Sequence, residues 1–453
     1  PYVPPEPFRS RFPDRPYDAE IAFADAGVSH LLHVLDERRI VDECVVVVAG
    51  DHGESLGEHG EAIHGIFLYD ATQRVPLLMR GPGIPAGRVV DEPVGLLDLL
   101  PTALELLGRP GRGEGRSLVP LLGSGGAAST SVSYELESLY PAYKYGWAPL
   151  RGLVSGPWKY IDAPRPELYD RKNDPGEVRN LIESHADVAS RLKSELVAIA
   201  GEVAQVPAPL PADPIPTDRR ERLEALGYIA GNPAGTASDG PRLDPKDGID
   251  LVARLDLARE HLQRGRPSEG IPLLEEVLER NPDNVMALLA LGSCLGATGD
   301  TEGAVTMARK ALELNPDYDV SWQNLGIALG TLAIGARMRG ETGDADAEDE
   351  ARFAFERALT LNPRYAEALL AYGRLERELG RAKAARDVFL RGRSAGIEDP
   401  ELEIELGLLE EARGDLEAAV EAYERAAALN PRSEAASHLD RLRSARVTGP
   451  AGR

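Results

Sequence analysis

The spacing of apolar positions changes once along the 453 residues, and that change divides the chain. Up to about residue 204, helical patterns alternate with short apolar runs. "AEIAFADAGVSHLLHVLDE" has helical spacing and leads into "ECVVVVAG", a run short enough for a buried strand. A second run, "RVPLLMRG", precedes the amphipathic helix "VGLLDLLPTALELLG". "APLRGLVSG" and "PWKYIDA" read as a hairpin about Ser155-Gly156-Pro157, and "DVASRLKSELVAIAGEVA" returns to helix. This order predicts α/β layering over residues 1–204, with a mainly parallel sheet. Residues 205–248 are rich in Pro, Gly, Ser and Asp around one short helical pattern, "RRERLEALGYI", and read as a linker.

After residue 250 the pattern is helical throughout and it repeats. Asn-Pro recurs at 281–282, 315–316, 362–363 and 430–431, spaced by 34, 47 and 68 residues. These are one period of 34, one period with thirteen extra residues, and two periods. On that ruler, Leu291-Gly292, Leu325-Gly326, Tyr372-Gly373 and Leu406-Gly407 fall in the first helix of each repeat. Ala304, Ala351, Ala385 and Ala419 take the close-approach position of the second, and Phe355, Phe389 and Tyr423 follow the last three of these by four residues. The array resembles tetratricopeptide (TPR) repeats, five of them over residues 251–431, with "SEAASHLDRLRSARV" as a capping helix and the solenoid as a whole spanning 249–446. Its helical surface suits a protein or peptide partner. The array is expected to fold by itself. The third repeat's thirteen-residue insertion, around "ARMRGETGDADAED", is expected to lengthen helices or bulge without breaking the stack.

Charge narrows the partners. The net charge of −23 is spread evenly, −13 over residues 1–250 and −10 over 251–453, and no basic stripe points to nucleic acid. Cys44 and Cys294 lie in different halves, so neither a disulfide framework nor a cysteine metal cluster is expected. No apolar run reaches the ~20 residues of a transmembrane segment. The first residues, "PYVPPEPFRSRFPDRPYDAE", read like the interior of a domain, and residue 1 is expected to fall mid-domain.

The chemistry gathers in "VVVVAGDHGESLGEHGEAIHG", Val45 to Gly65, which holds three of the eight histidines. Asp51 and His52 follow the valine strand directly, where an open α/β sheet presents its ligands. With Gly50 and Gly53 allowing a tight turn, both side chains can reach one divalent ion; the alternative is a polar turn that caps the strand. Glu54 and Glu58 read as solvated or hydrogen-bonded loop carboxylates, and His59 as a residue that structures the loop. In "YPAYKYGWAPLRG", Tyr140, Tyr143, Tyr145 and Trp147 cluster beside Lys144 and Arg151, and read equally as a packed sheet edge or as a substrate-pocket wall.

Together with "FLYDATQRVPLLMRGPGIPAG", "DLLPTALELLG", "GRSLVPLL" and "ELYDRKNDPGEVRNL", in that order, this loop resembles the C-terminal half of a sulfatase of the alkaline phosphatase superfamily, over residues 1 to about 185. The resemblance implies an α/β sulfatase-like partial domain followed by an all-α TPR solenoid. It implies Asp51 and His52 as metal ligands, for Ca²⁺ or alternatively Mn²⁺, and places a sulfate-binding basic residue thirteen positions after Asp51. His64 stands there, where the family usually has Lys, and an imidazole binds an anion best when protonated. Trp147 and Arg151 are further candidates for substrate contact. The family nucleophile, a formylglycine made from Cys or Ser, and the remaining metal aspartates are expected upstream of this chain, which alone is expected to be inactive. The implied activity is sulfate-ester hydrolysis. Phosphate- or phosphonate-ester hydrolysis and a catalytically dead scaffold holding the repeats are the alternatives.

Overall fold

A computed structural model describes residues 2–111, 113–123, 132–200, 242–340 and 345–448; most of the 205–248 linker, with its short helical pattern, lies outside the described residues. The chain divides into two compact units. One comprises Pro1–Ser138 and Leu150–Val203, the other Leu139–Pro149 and Ala204–Arg453.

The first unit contains α1 (Phe8–Arg11), α2 (Pro16–Glu37), β1 (Val46–Ala49), α3 (Asp70–Gln73), β2 (Leu77–Arg80), α4 (Leu99–Leu106), α5 (Val119–Leu122) and β3 (Ser133–Ser138). After α6 (Tyr140–Tyr145), which groups with the helical unit, follow β4 (Leu150–Ser155), β5 (Trp158–Asp162), β6 (Glu167–Asp170) and α7 (Ala186–Ala200). The valine run forms β1, which pairs antiparallel with β2, Val46 opposite Arg80 and Ala49 opposite Leu77. The other sheet is an antiparallel meander, β3-β4-β5-β6. The expectation of a mainly parallel sheet is therefore corrected: every described strand pairing is antiparallel. The two-residue loop Gly156-Pro157, with Gly156 at φ +56°, closes the expected hairpin by placing Ser155 opposite Trp158. Leu153, Tyr160 and Leu168 on one sheet face pack against Ala189, Leu192 and Leu196 of α7.

Polar anchors tie the loops to this meander. Lys159 of β5 is fully buried; its Nζ donates to Leu68 O at 3.0 Å and to the Asp70 carboxylate, and forms an ion pair with Glu177 at 2.7 Å. Arg171 closes on Asp70 from a second side at 2.9 Å, while Glu177 accepts the Asp70 backbone N–H. Burial alone would raise the Asp70 carboxyl, but Lys159 and Arg171 outweigh it and hold the group below its ordinary range. Burial pushes Glu177 up, against the pull of Lys159. Asp98, also fully buried, accepts from Gly95 N, Arg116 N and Tyr134 Oη, which joins the start of α4 to β3. Glu61 closes the Asp-His loop by accepting the N–H groups of Ile66 (2.7 Å) and Phe67 (3.2 Å).

The helical unit pairs α8 (Pro245–Gln263) with α9 (Pro267–Arg280), α10 (Val285–Thr298) with α11 (Thr301–Leu314), α12 (Asp319–Met338) with α13 (Ala345–Leu361), α14 (Ala366–Glu378) with α15 (Ala382–Ser394), and α16 (Pro400–Ala412) with α17 (Leu416–Leu429), before α18 (Ala435–Thr448). The glycine positions do what the period predicts. A Cβ on Gly326, Gly373 or Gly407 would run into the ring of Phe355, Phe389 or Tyr423. The insertion lengthens its pair: α12 has 20 residues and α13 has 17, where α10 and α11 have 14 each. Buried glutamates each meet two arginines: Glu376 with Arg352 and Arg381, Glu405 with Arg374 and Arg377, Glu410 with Arg386 and Arg413, and Glu403 with Arg393 and Arg425.

Two outcomes are expected. Lys159→Met leaves Asp70 and Glu177 buried without that cation, and a loss of about 3–5 kcal/mol in urea unfolding of the first unit is expected, partly recovered by adding Glu177→Gln. Glu61 is pushed by burial from 4.5 up to about 7, so in that window the folded state binds a proton that the unfolded state releases. Stability of the first unit is expected to fall as pH rises from about 4.5 to 7 by this contribution, and Glu61→Gln to remove it; melting temperatures of both proteins at pH 5 and 7.5 check this.

Candidate active site

The loop after β1 is shaped by three backbone contacts. Gly50 N donates to Pro76 O, Gly53 N to Thr72 O at 2.8 Å, and Ser55 N to Ile63 O at 2.7 Å. Gly53 lies so close to α3 that a Cβ would stand 2.3 Å from Ala71 O, so only glycine fits there. The fold thus brings the loop's two ends together, and His52 and His64, twelve residues apart, lie with ring centroids 3.9 Å apart.

Each imidazole is oriented by an acceptor. His52 Nδ1 lies 2.8 Å from Gly53 O, and His64 Nδ1 lies 3.0 Å from Glu54 Oε1. A carbonyl and a carboxylate only accept, so Nδ1 carries the proton in both rings and Nε2 is the atom left for a ligand. Asp51 Oδ1 accepts the His52 backbone N–H at 3.0 Å, and its Oδ2 lies 3.9 Å from His52 Nε2. That separation is too long for a hydrogen bond. The Asp51 side chain is 78% exposed and Glu54 only 12%. Of the two readings, solvated or hydrogen-bonded, Glu54 takes the second: it is largely buried and bonded to His64, a residue ten positions on that only the folded turn brings near. Its charge also raises the Tyr2 phenol, after burial, the larger cause.

His59 takes a structural place. Its ring stacks on Tyr69 at 3.6 Å, Nε2 lies 3.2 Å from Gly176 O, and burial holds its pKa below the ordinary value. Glu58 accepts the Leu56 N–H at 2.6 Å and is held low chiefly by that bond. Arg151 stands on β4 with Nε 3.0 Å from Glu137 of the neighbouring strand. Trp147 belongs to the helical unit and is fully buried, so its ring packs in an interior rather than lining an open pocket.

The metal implied by the sequence has Asp51 and His52 as donors of suitable type, a carboxylate and an imidazole with its Nε2 left over. Among the described residues no group of three or more His, Cys, Asp or Glu is arranged to hold an ion.

Comparison with known proteins identifies both parts of the chain. Residues 4–109 match the family model described as Sulfatase, and residues 57–202 that described as N-sulphoglucosamine sulphohydrolase, C-terminal. Residues 255–319, 349–400 and 404–433 match models described as Tetratricopeptide repeat. The chain is similar to choline-sulfatase of Rhizobium meliloti, 35% identical over 179 residues that cover 38% of this chain and 33% of that protein. It is similar to arylsulfatase K of Mus musculus, 30% identical over 193 residues that cover 40% of this chain and 35% of that protein. The chain therefore spans about a third of the length of these curated relatives. Among solved structures it is similar to a thermophilic TPR protein of Thermus thermophilus, with 23% identity, 44% of this chain and 99% of that chain covered, and a TM-score of 0.36. It is also similar to a phosphonate monoester hydrolase from Silicibacter pomeroyi, with 28% identity, 39% and 38% covered, and a TM-score of 0.33. Residues 4–202 thus match sulfatase-type family models, and matches to tetratricopeptide-repeat models follow them along the chain.

Proposed function

We propose that the complete protein hydrolyses sulfate esters, that Asp51 and His52 contribute to its metal site, and that His64 binds a sulfate oxygen. The observation behind this reading is the convergence of the loop: two imidazoles at 3.9 Å, each held by its Nδ1. Asp51 and His52 would hold a divalent ion, Ca²⁺ or Mn²⁺, which when bound supplies Lewis-acid stabilisation of charge on the sulfuryl oxygens. Further ligands and the nucleophile, a formylglycine hydrate in the sulfatase pattern, are assigned to the part of the protein outside this chain. His64 keeps its ring orientation through Glu54, so that Nε2 can meet an anionic oxygen as a hydrogen-bond donor when the ring is protonated. Glu54 is a positioning residue for that ring.

The repeats are assigned a protein or peptide partner. A cleft of about 190 Å³ between α10, α11 and α12, lined by Gly292, Ser293, Gly296, Asn324, Ile327 and Thr331, offers small side chains with polar groups among them. That mixture suits an extended chain that needs close backbone approach and a few hydrogen bonds.

In calorimetric titration this chain alone is expected to bind Ca²⁺ or Mn²⁺ weakly, and Asp51→Ala to abolish the signal. In the full-length, matured enzyme, Asp51→Ala is expected to lower aryl-sulfate turnover on the order of 10²-fold or more. His64→Ala is expected to lower turnover while leaving metal content unchanged. Wild-type turnover in full-length Asp51→Ala would sink the reading.

A further inference from the structure

Stacked repeats bury each face against a neighbour, so the first repeat of an array needs a cover for its outer face. In this chain a segment far from the repeats in sequence packs on the start of the array. Leu139–Pro149, the stretch between β3 and β4, groups with the helical unit although it lies inside the 57–202 sulphohydrolase match. It reaches α8 and the stretch just before it, the Asn281 that follows α9, and α10 of the second repeat. Trp147 is fully buried and stacks on Tyr145 with centroids 4.5 Å apart. A Cβ on Gly248, in the first turn of α8, would stand 2.5 Å from the Trp147 ring, so the helix approaches the indole face as closely as a glycine allows. The backbone is also paired: Ala148 N donates to Leu243 O at 2.8 Å, and the buried Asn281 side chain donates to Tyr145 O at 3.0 Å. Asn281 is the asparagine of the first Asn-Pro, so a residue that marks the repeat period also grips the segment.

The indole Nε1–H finds no hydrogen-bond partner among the described residues. Packing, not a polar anchor, therefore keeps the ring in place. Trp is a large apolar surface to bury, and shape fit against a glycine is what holds it.

We propose that Leu139–Pro149 is the N-terminal cap of the repeat array: α8 presents a docking surface, and its occupant is this strap from within the sulfatase-family sequence. The array, which the repeat period alone would make autonomous, then holds its first repeat in place only with the strap seated. Further repeats lean on their neighbours and feel the strap weakly.

The test uses the full chain and amide hydrogen exchange read by mass spectrometry. Trp147→Ala is expected to speed exchange in Pro245–Gln263 by about tenfold or more, with exchange in α14 to α17 unchanged. Gly248→Ala, which drives a methyl into the indole, is expected to do the same. Combining the two is decisive, because without the indole the methyl has room and alanine is the better helix former. The double variant is expected to exchange more slowly in α8 than Gly248→Ala alone. Exchange in Gly248→Ala as slow as in the wild type would overturn the proposal, as would a double variant whose loss is the sum of the two single ones. Should Gly248→Ala unfold the whole array, helical circular dichroism of the double variant decides in the same sense: recovery supports the cap and no recovery overturns it.

Discussion

A lysine ammonium with no exposed surface is the constraint on which the first unit depends. Lys159 is tolerable inside the sheet only because Asp70, Glu177 and Leu68 O surround it, and each of these lies on a different stretch of chain from the β5 strand that carries it. The lysine therefore fixes where residues 68–70 and 177 must lie. Arg171 adds a second cation on Asp70, so that carboxylate is ionised although buried. The consequence reaches the loop: α3 begins at Asp70, and Gly53 N is bonded to Thr72 O within it. A charge buried under the meander is in this way linked through α3 to the turn that carries Asp51 and His52.

The repeats solve the same problem with different chemistry. Their helices approach closely through glycine against aromatic ring, which is apolar and directional only in shape. Each buried glutamate then meets at least one arginine from another helix, and because an unpaired buried carboxylate is destabilising by several kcal/mol, these contacts constrain which helices can be neighbours. Shape supplies the attraction and the charges select the register. That division explains how α12 and α13 carry extra turns without disturbing the pairs that follow them.

What the sequence made legible follows from how local each signal is. Adjacent residues such as Asp51 and His52, a two-residue hairpin at Gly156-Pro157, and a 34-residue period are all written in short windows, and all appear where the pattern puts them. Helices α2, α4 and α7 were readable for the same reason. β3 and β6 were not, because "SYELES" holds only two apolar residues and "ELYD" is four residues long, too little for either to stand out as a run. The antiparallel direction of β1 and β2 was lost because α/β order suggests, but does not encode, a crossover. Glu54 was missed as the partner of His64, and Trp147 as a buried anchor, because both depend on which distant residues the fold brings near. The aromatic cluster around Trp147 announced burial without saying against what.

The site's charge balance gives a physical reason for a metal in the proposed chemistry. Asp51 and Glu54 contribute two negative charges, and His52 and His64 contribute at most two positive ones when both rings are protonated. An anionic ester approaching these four groups, on a chain of net charge −23, thus meets neutrality at best. In the proposed reading a divalent cation held by Asp51 and His52 would add positive charge there, taking a carboxylate oxygen and the His52 Nε2 that the ring's contact with Gly53 O leaves over. In the same reading His64, oriented by Glu54, would be the ring that meets a substrate oxygen.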